Sequence, residues 1–270
     1  MFVNATISAL IPQKITAVTE FYKNFFFRYS LIMRQIMTIN ALIDVAGKEK
    51  VAEMQAIWMG LLDDYQYQNS MAICMGISYD IPQLRENRGL WTESTQGVNS
   101  KEKLVTSVNL SEYLQLYSLF EDSISKLLHG IGILKNGEYL KEKDVIKKFN
   151  EFLTKEGIKK EFYDTLSART PFQSDTELFL FWYFFTIIRN ILVHADRLPS
   201  AKEIASFEKC KEKITTSLQR DAISITFICD TLDEVAVAPN VHLTVTDKMV
   251  NMLRNYIVYI MESLYLVRLR

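Results

Sequence analysis

A chain of 270 residues with 49% hydrophobic and 23% charged residues has ample material for a buried core and the composition of an ordinary globular protein. A formal net charge of −1 gives no support to wholesale electrostatic capture of nucleic acid, which would need a local basic face. Cys74, Cys210 and Cys229 lie far apart, in no zinc or redox spacing, so a reduced, cytoplasmic protein is expected.

Nine Gly and five Pro are few for this length and argue for long helices joined by few turns. The N-terminus MFVNATISAL carries no basic leader or cleavage site, so no signal peptide is expected. Residues 13–47 read as one helix, with Ile15, Val18, Phe21, Phe25, Ile32, Ile36, Ile39 and Ile43 on one stripe. A second helix follows, with Val51, Met54, Ile57, Trp58, Leu61 and Tyr65 facing inward, and residues 71–77 form a further apolar piece. Residues 83–103 are polar, aperiodic and read as a linker.

Asn109 and Glu112 have capping-box spacing and predict a helix start, with Tyr113, Tyr117, Phe120, Ile124 and Leu127 as the stripe and Gly130 at the end. Residues 141–164 form a charged amphipathic segment anchored by Val145, Phe149, Phe152 and Leu153, which reads as a solvated face. A helix is expected from Thr176 to about Asp196. Its run LFLFWYFFTII is well short of the roughly 20 residues of a membrane span and reads as core. Another helix covers 202–218. Ile223, Ile225 and Phe227, then Val241, Leu243 and Val245, alternate as in a small hairpin near 222–245. Thr246 caps a last helix with Met249, Leu253, Tyr256, Ile260 and Leu264 inward.

The chemistry concentrates in FFTIIRNILVHADRLPS, residues 184–200, where the most apolar segment ends in Arg189, Asn190 and His194. At about 100° per residue, Asn190 and His194 share a helix face, whereas Arg189 and His194 stand roughly 140° apart and can only border a common cleft. Cleavage of an RNA phosphodiester needs a base for the 2′-OH proton, an acid for the leaving 5′ oxygen and a cation for the anionic transition state. Histidine can do either proton job near neutral pH, arginine can grip two phosphate oxygens, and asparagine can orient the imidazole or bond to phosphate. No metal or other cofactor is called for. One histidine cannot easily serve as acid and base together, but two copies meeting across a dimer can.

RNILVH resembles the R-x4-H signature of HEPN-domain proteins, whose arginine is commonly followed by a polar residue. These are helical, typically dimeric domains, many of them metal-independent endoribonucleases of prokaryotic toxin, antiviral-defence and CRISPR systems. The resemblance implies an all-α antiparallel bundle over residues 104–270; residues 1–95 have no counterpart in it and read, from their own periodicity, as an N-terminal helical extension. It implies Arg189 as transition-state clamp, His194 as proton-transfer residue, Asn190 as orienting group and Glu121, in LFEDSISKLL, as the supporting acid. It further implies an RNA substrate, a homodimer and an antitoxin or regulatory protein partner. The tyrosine that some of these toxins carry two residues past the histidine is Asp196 here, which puts regulation by its modification in doubt.

Other residues have plainer readings. His129 suits a helix C-terminus and His242 a strand. Arg197 is a candidate RNA contact, Arg169 and Lys202 weaker ones. The aromatic residues from Phe179 to Phe185 are expected to pack the core rather than stack bases. Asp63-Asp64 and Glu121-Asp122 are adjacent pairs that diverge. The alternative function is a non-catalytic HEPN-like module that binds RNA, a nucleotide or a partner protein through the same cleft.

Overall fold

A computed structural model describes residues 21–41, 101–135, 137–193, 198–217, 232–235 and 237–269. The second helix expected at 51–65, the apolar piece at 71–77, most of the linker and the first arm of the expected hairpin lie outside the described residues. Every regular element among the described residues is helical. After helical residues 21–41 come α1 (Lys101–Gly130), a 3-10 turn (Glu142–Asp144), α2 (Val145–Lys155), α3 (Lys159–Ser167), α4 (Asp175–Val193), α5 (Ala201–Ser217) and α6 (Asp247–Leu269). The chain divides into two compact units. Described residues 21–33 and 109–269 belong to one, and 34–41 and 101–108 to the other.

The larger unit is organised around α4. Ser174 and Glu177 form a capping box: the Glu177 amide donates to Ser174 Oγ at 3.3 Å, and Glu177 Oε2 accepts from the Ser174 and Gln173 amides at 3.1 and 2.6 Å. The same device, Ser200 with Glu203, starts α5. Leu178, Phe181, Phe184, Phe185 and Ile188 of α4 are fully buried. α5 and α2 both pack on α4, and α6 packs on α3. Tyr256 of α6 is the hub, with its ring against Phe120, Phe172, Phe181 and Phe185 and its hydroxyl donating to the Leu178 carbonyl at 2.7 Å. Deleting such a buried ring costs about 3–5 kcal/mol.

By length and composition α4 could cross a membrane, yet 67% of its apolar window is buried inside the protein. Its grease serves the core. Cys210 of α5 is buried on the same helix, where its thiol donates to the Leu180 carbonyl at 3.4 Å and burial pushes its pKa up to about 12.

One expected helix start is corrected, and the expected end at Gly130 stands. α1 begins at Lys101, so Asn109 and Glu112 lie inside it and cap nothing. The Asn109 amide instead donates to the Val245 carbonyl at 3.3 Å and to Asp247 at 2.8 Å, and Glu112 pairs with Arg254. Gly130 closes α1, but the left-handed residue is Gly132, at φ 70°. The Gly132 amide reaches the His129 carbonyl and the Ile133 amide the Leu128 carbonyl, a Schellman closure that glycine adopts without strain. Thr246 does cap α6, accepting from the Met249 amide at 3.3 Å. Residues 241–246 form no strand. Leu243 and Val245 are buried and Val241 and Thr244 exposed, so the alternation reflects inward anchoring of an irregular approach to α6.

Candidate functional site

Helix geometry brings the site together. Trp182, Thr186 and Arg189 follow one another at i+4 and i+3 along α4, and Tyr117 and Glu121 at i+4 along α1, so each set forms one stripe. The two stripes face each other. The Tyr117 and Trp182 rings stack at 4.5 Å, and the Tyr117 hydroxyl bonds to Thr186 Oγ1 at 2.9 Å. One turn further along, Arg189 lays its guanidinium over the Tyr117 ring, 5.8 Å from its centre. This helix pair is rigid, because Tyr117 and Trp182 are almost fully enclosed.

The third wall is the 3-10 turn. The Trp182 indole N–H donates to the Glu142 carbonyl at 2.8 Å and holds the turn against α4. The Glu142 carboxylate then meets Arg189 Nη1 at 2.8 Å, and the same nitrogen donates to Asn190 Oδ1 at 2.9 Å. Arg189 and Glu142 are about a quarter exposed, so their pair contributes only about 0.2–1 kcal/mol, and the cation–π contact a similar amount.

Glu121 completes the cluster. Its Oε1 is buried and has no hydrogen-bond partner. Burial, and next the Glu142 carboxylate, push the Glu121 carboxyl above the usual carboxylate range, against the pull of Arg189. Burial of an acceptor without a donor favours the protonated form. Asp122, the next residue, points elsewhere and pairs with Arg28 and, at 2.8 Å, with Lys126. The adjacent acids diverge as their spacing implies.

Of the residues singled out from sequence, Arg189, Asn190 and Glu121 are thus brought to one place, with Glu121 close enough to Arg189 and Glu142 to feel both charges. His194 and Arg197 lie outside the described residues. Two participants were missed. Tyr117 was read only as a core stripe residue, although its i−4 position from Glu121 was the available signal. Glu142 had no local signal at all, because its partners Trp182 and Arg189 lie on a distant helix.

Two further arginines have structural partners. Arg169 pairs with Glu262, which is fully buried, and lies 5.2 Å over the Tyr259 ring. Arg254 pairs with buried Glu112 and donates to Asn251 at 2.7 Å. Lys202 is exposed on the first turn of α5.

The chain matches no family model, no curated protein and no solved structure.

Proposed function

We propose that the protein is a HEPN-type, metal-independent endoribonuclease that works in the cytoplasm as a toxin or antiviral effector. The observation that carries this reading is the seat of Arg189: a guanidinium braced on an aromatic face, bonded to the residue beside it and held by a weak, exchangeable carboxylate. A scissile phosphate replaces Glu142 on Arg189, and the guanidinium neutralises charge as it builds on the phosphoryl oxygens. His194, four residues past Asn190, transfers the proton. The 2′ oxygen attacks phosphorus as its proton leaves to a base, and the P–O5′ bond breaks as the 5′ oxygen gains a proton. The products are a 2′,3′-cyclic phosphate and a 5′-hydroxyl.

Glu121 supports the scheme by keeping its proton to higher pH than a free carboxyl does. Two ionised carboxylates beside one arginine would repel phosphate, and a raised carboxyl pKa lessens that repulsion. A second copy of the chain supplies the second histidine, so that acid and base are separate groups. An antitoxin or other regulatory protein holds the activity in check.

The test is incubation of purified wild type, Arg189→Ala and His194→Ala with total RNA in EDTA, followed by analysis of the cut ends. The expected result is cyclic-phosphate ends from the wild type and a loss of at least about 100-fold in either variant. Equal cleavage by wild type and variants sinks the reading. One observation favours a second reading: Glu142 already satisfies Arg189, as in a non-catalytic HEPN-like module that binds RNA, a nucleotide or a protein. That module predicts binding that survives His194→Ala and no cleavage by any form.

A further inference from the structure

The segment that delivers Glu142 to Arg189 carries features that the site itself does not use. Residues 137–143 run from the end of α1 towards the 3-10 turn, and their course is fixed at two points. Leu140 is buried in the core, and the Glu142 carbonyl is held by the Trp182 indole. Between and beside these anchors the side chains face out. Tyr139 is 78% exposed, the most exposed large hydrophobic residue among those described. Lys141 and Lys143 are exposed and have no ion-pair partner among the described residues. The acids of the same stretch are engaged, Glu142 with Arg189 and Glu138 with the Lys135 amide at 3.1 Å.

An aromatic ring left outside on an anchored backbone has no packing role. It stands three residues from Glu142, hence within about 11 Å along the chain of the group that contacts Arg189. Two unpaired lysines alternate with Glu142 along the chain. When Glu142 releases Arg189, an exposed ring, two exposed lysines and the guanidinium are open to a ligand. A ring beside cations is the chemistry that holds single-stranded nucleic acid: bases stack on the ring, and the backbone follows the positive charge.

We propose that residues 137–143 form the docking lip for single-stranded RNA at the Arg189 site, with Tyr139 stacking on an unpaired base next to the scissile phosphate. Lys141 and Lys143 contact the flanking phosphates, and Glu142 is the carboxylate that the scissile phosphate displaces. The inference rests on the nuclease reading for its substrate class, and it adds the residues that hold that substrate. A duplex buries its base faces and offers Tyr139 nothing to stack on, so the lip selects unpaired RNA.

The experiment measures fluorescence anisotropy of the full-length protein with a short, fluorescein-labelled single-stranded RNA whose sugars are 2′-O-methylated to block cleavage. Tyr139→Ala is expected to weaken binding about 5- to 100-fold, and Tyr139→Phe, which keeps the ring, to bind within about twofold of wild type. Lys141→Ala and Lys143→Ala are each expected to reduce the slope of log affinity against log salt by about 0.7. All three residues are exposed, so the variants should fold, which circular dichroism checks. Unchanged binding by Tyr139→Ala, or an equal loss in Tyr139→Phe, overturns the proposal. If Arg189→Ala stops cleavage of natural RNA while Tyr139→Ala binds as wild type, the lip falls and the nuclease reading stands. If the wild type binds through Tyr139 yet never cuts, the nuclease reading falls and the lip stands. A wild type that binds a matching duplex as tightly as the single strand overturns the lip's selectivity for unpaired RNA.

Discussion

Two regions of the larger unit are built from the same pair of groups, an arginine and a glutamate, and put them to different ends. Along α6, Arg254 meets Glu112 and Arg169 meets Glu262, with Glu112 and Glu262 almost completely enclosed. At the end of α4, Arg189 meets Glu142 with about a quarter of each side chain in water. Enclosure makes a pair permanent, because removing one partner strands the other charge without solvent. Partial exposure makes a pair weak and open to exchange. The protein thus encloses the ion pairs inside its bundle and leaves a partly exposed one at the end of α4.

The contrast is sharpest in substitution. Arg254→Ala leaves Glu112 buried and unpaired, and should destabilise the fold by about 3–5 kcal/mol in chemical denaturation. Arg189→Ala should cost no more than about 1–2 kcal/mol in the same measurement while abolishing the cleavage proposed above. Similar stability losses for the two would erase the distinction.

Glu121 offers a smaller effect with a definite sign in pH. Its carboxyl stays protonated to higher pH in the folded chain than in the unfolded one. The stability this contributes is fully present below the unfolded value, near pH ~4.3, and is lost as pH rises through the folded value. Glu142 and Arg189 are the charged groups that face it, and Asp122, which points away, adds a smaller push through its charge. Glu121→Gln should therefore melt about 2–4 °C above wild type at pH 7, with the difference vanishing by about pH 4. A variant that melts lower at pH 7, or a difference independent of pH, contradicts the buried, partnerless oxygen. The smallest effect belongs to Lys248, whose pair with Glu234 is about half exposed on both sides. Lys248→Ala should change stability by less than about 1 kcal/mol, and high salt should cancel even that.

The sequence made much of the bundle legible where the signal was local. The apolar run of α4, the amphipathic stripe of α1 and the Thr246 cap all report on neighbours within a turn or two, and each stands where its pattern puts it. Asn109 and Glu112 show the limit of local reading. Their spacing matches a helix cap, but their partners, Val245, Asp247 and Arg254, are more than a hundred residues away. No spacing rule sees such a contact. The site divides in the same way: Arg189 and Asn190 were visible as adjacent polar residues at the exit of an apolar helix, while Glu142 reaches them only through the turn that Trp182 holds. Tyr117 was hidden by its own double role, since a ring that packs the core on one side and carries a guanidinium on the other reads as core alone.

The buried thiol of Cys210 has a practical consequence. With its proton held to about pH 12 and its sulfur bonded to the Leu180 carbonyl, it is closed to alkylating reagents for as long as α5 lies on α4. Iodoacetamide can reach it only when that helix pair opens. Timed labelling, read as the mass of the Cys210 peptide, is then a clock for the opening of the scaffold that carries Arg189. Slower labelling in the presence of single-stranded RNA would show that bound RNA tightens the α4–α5 pair.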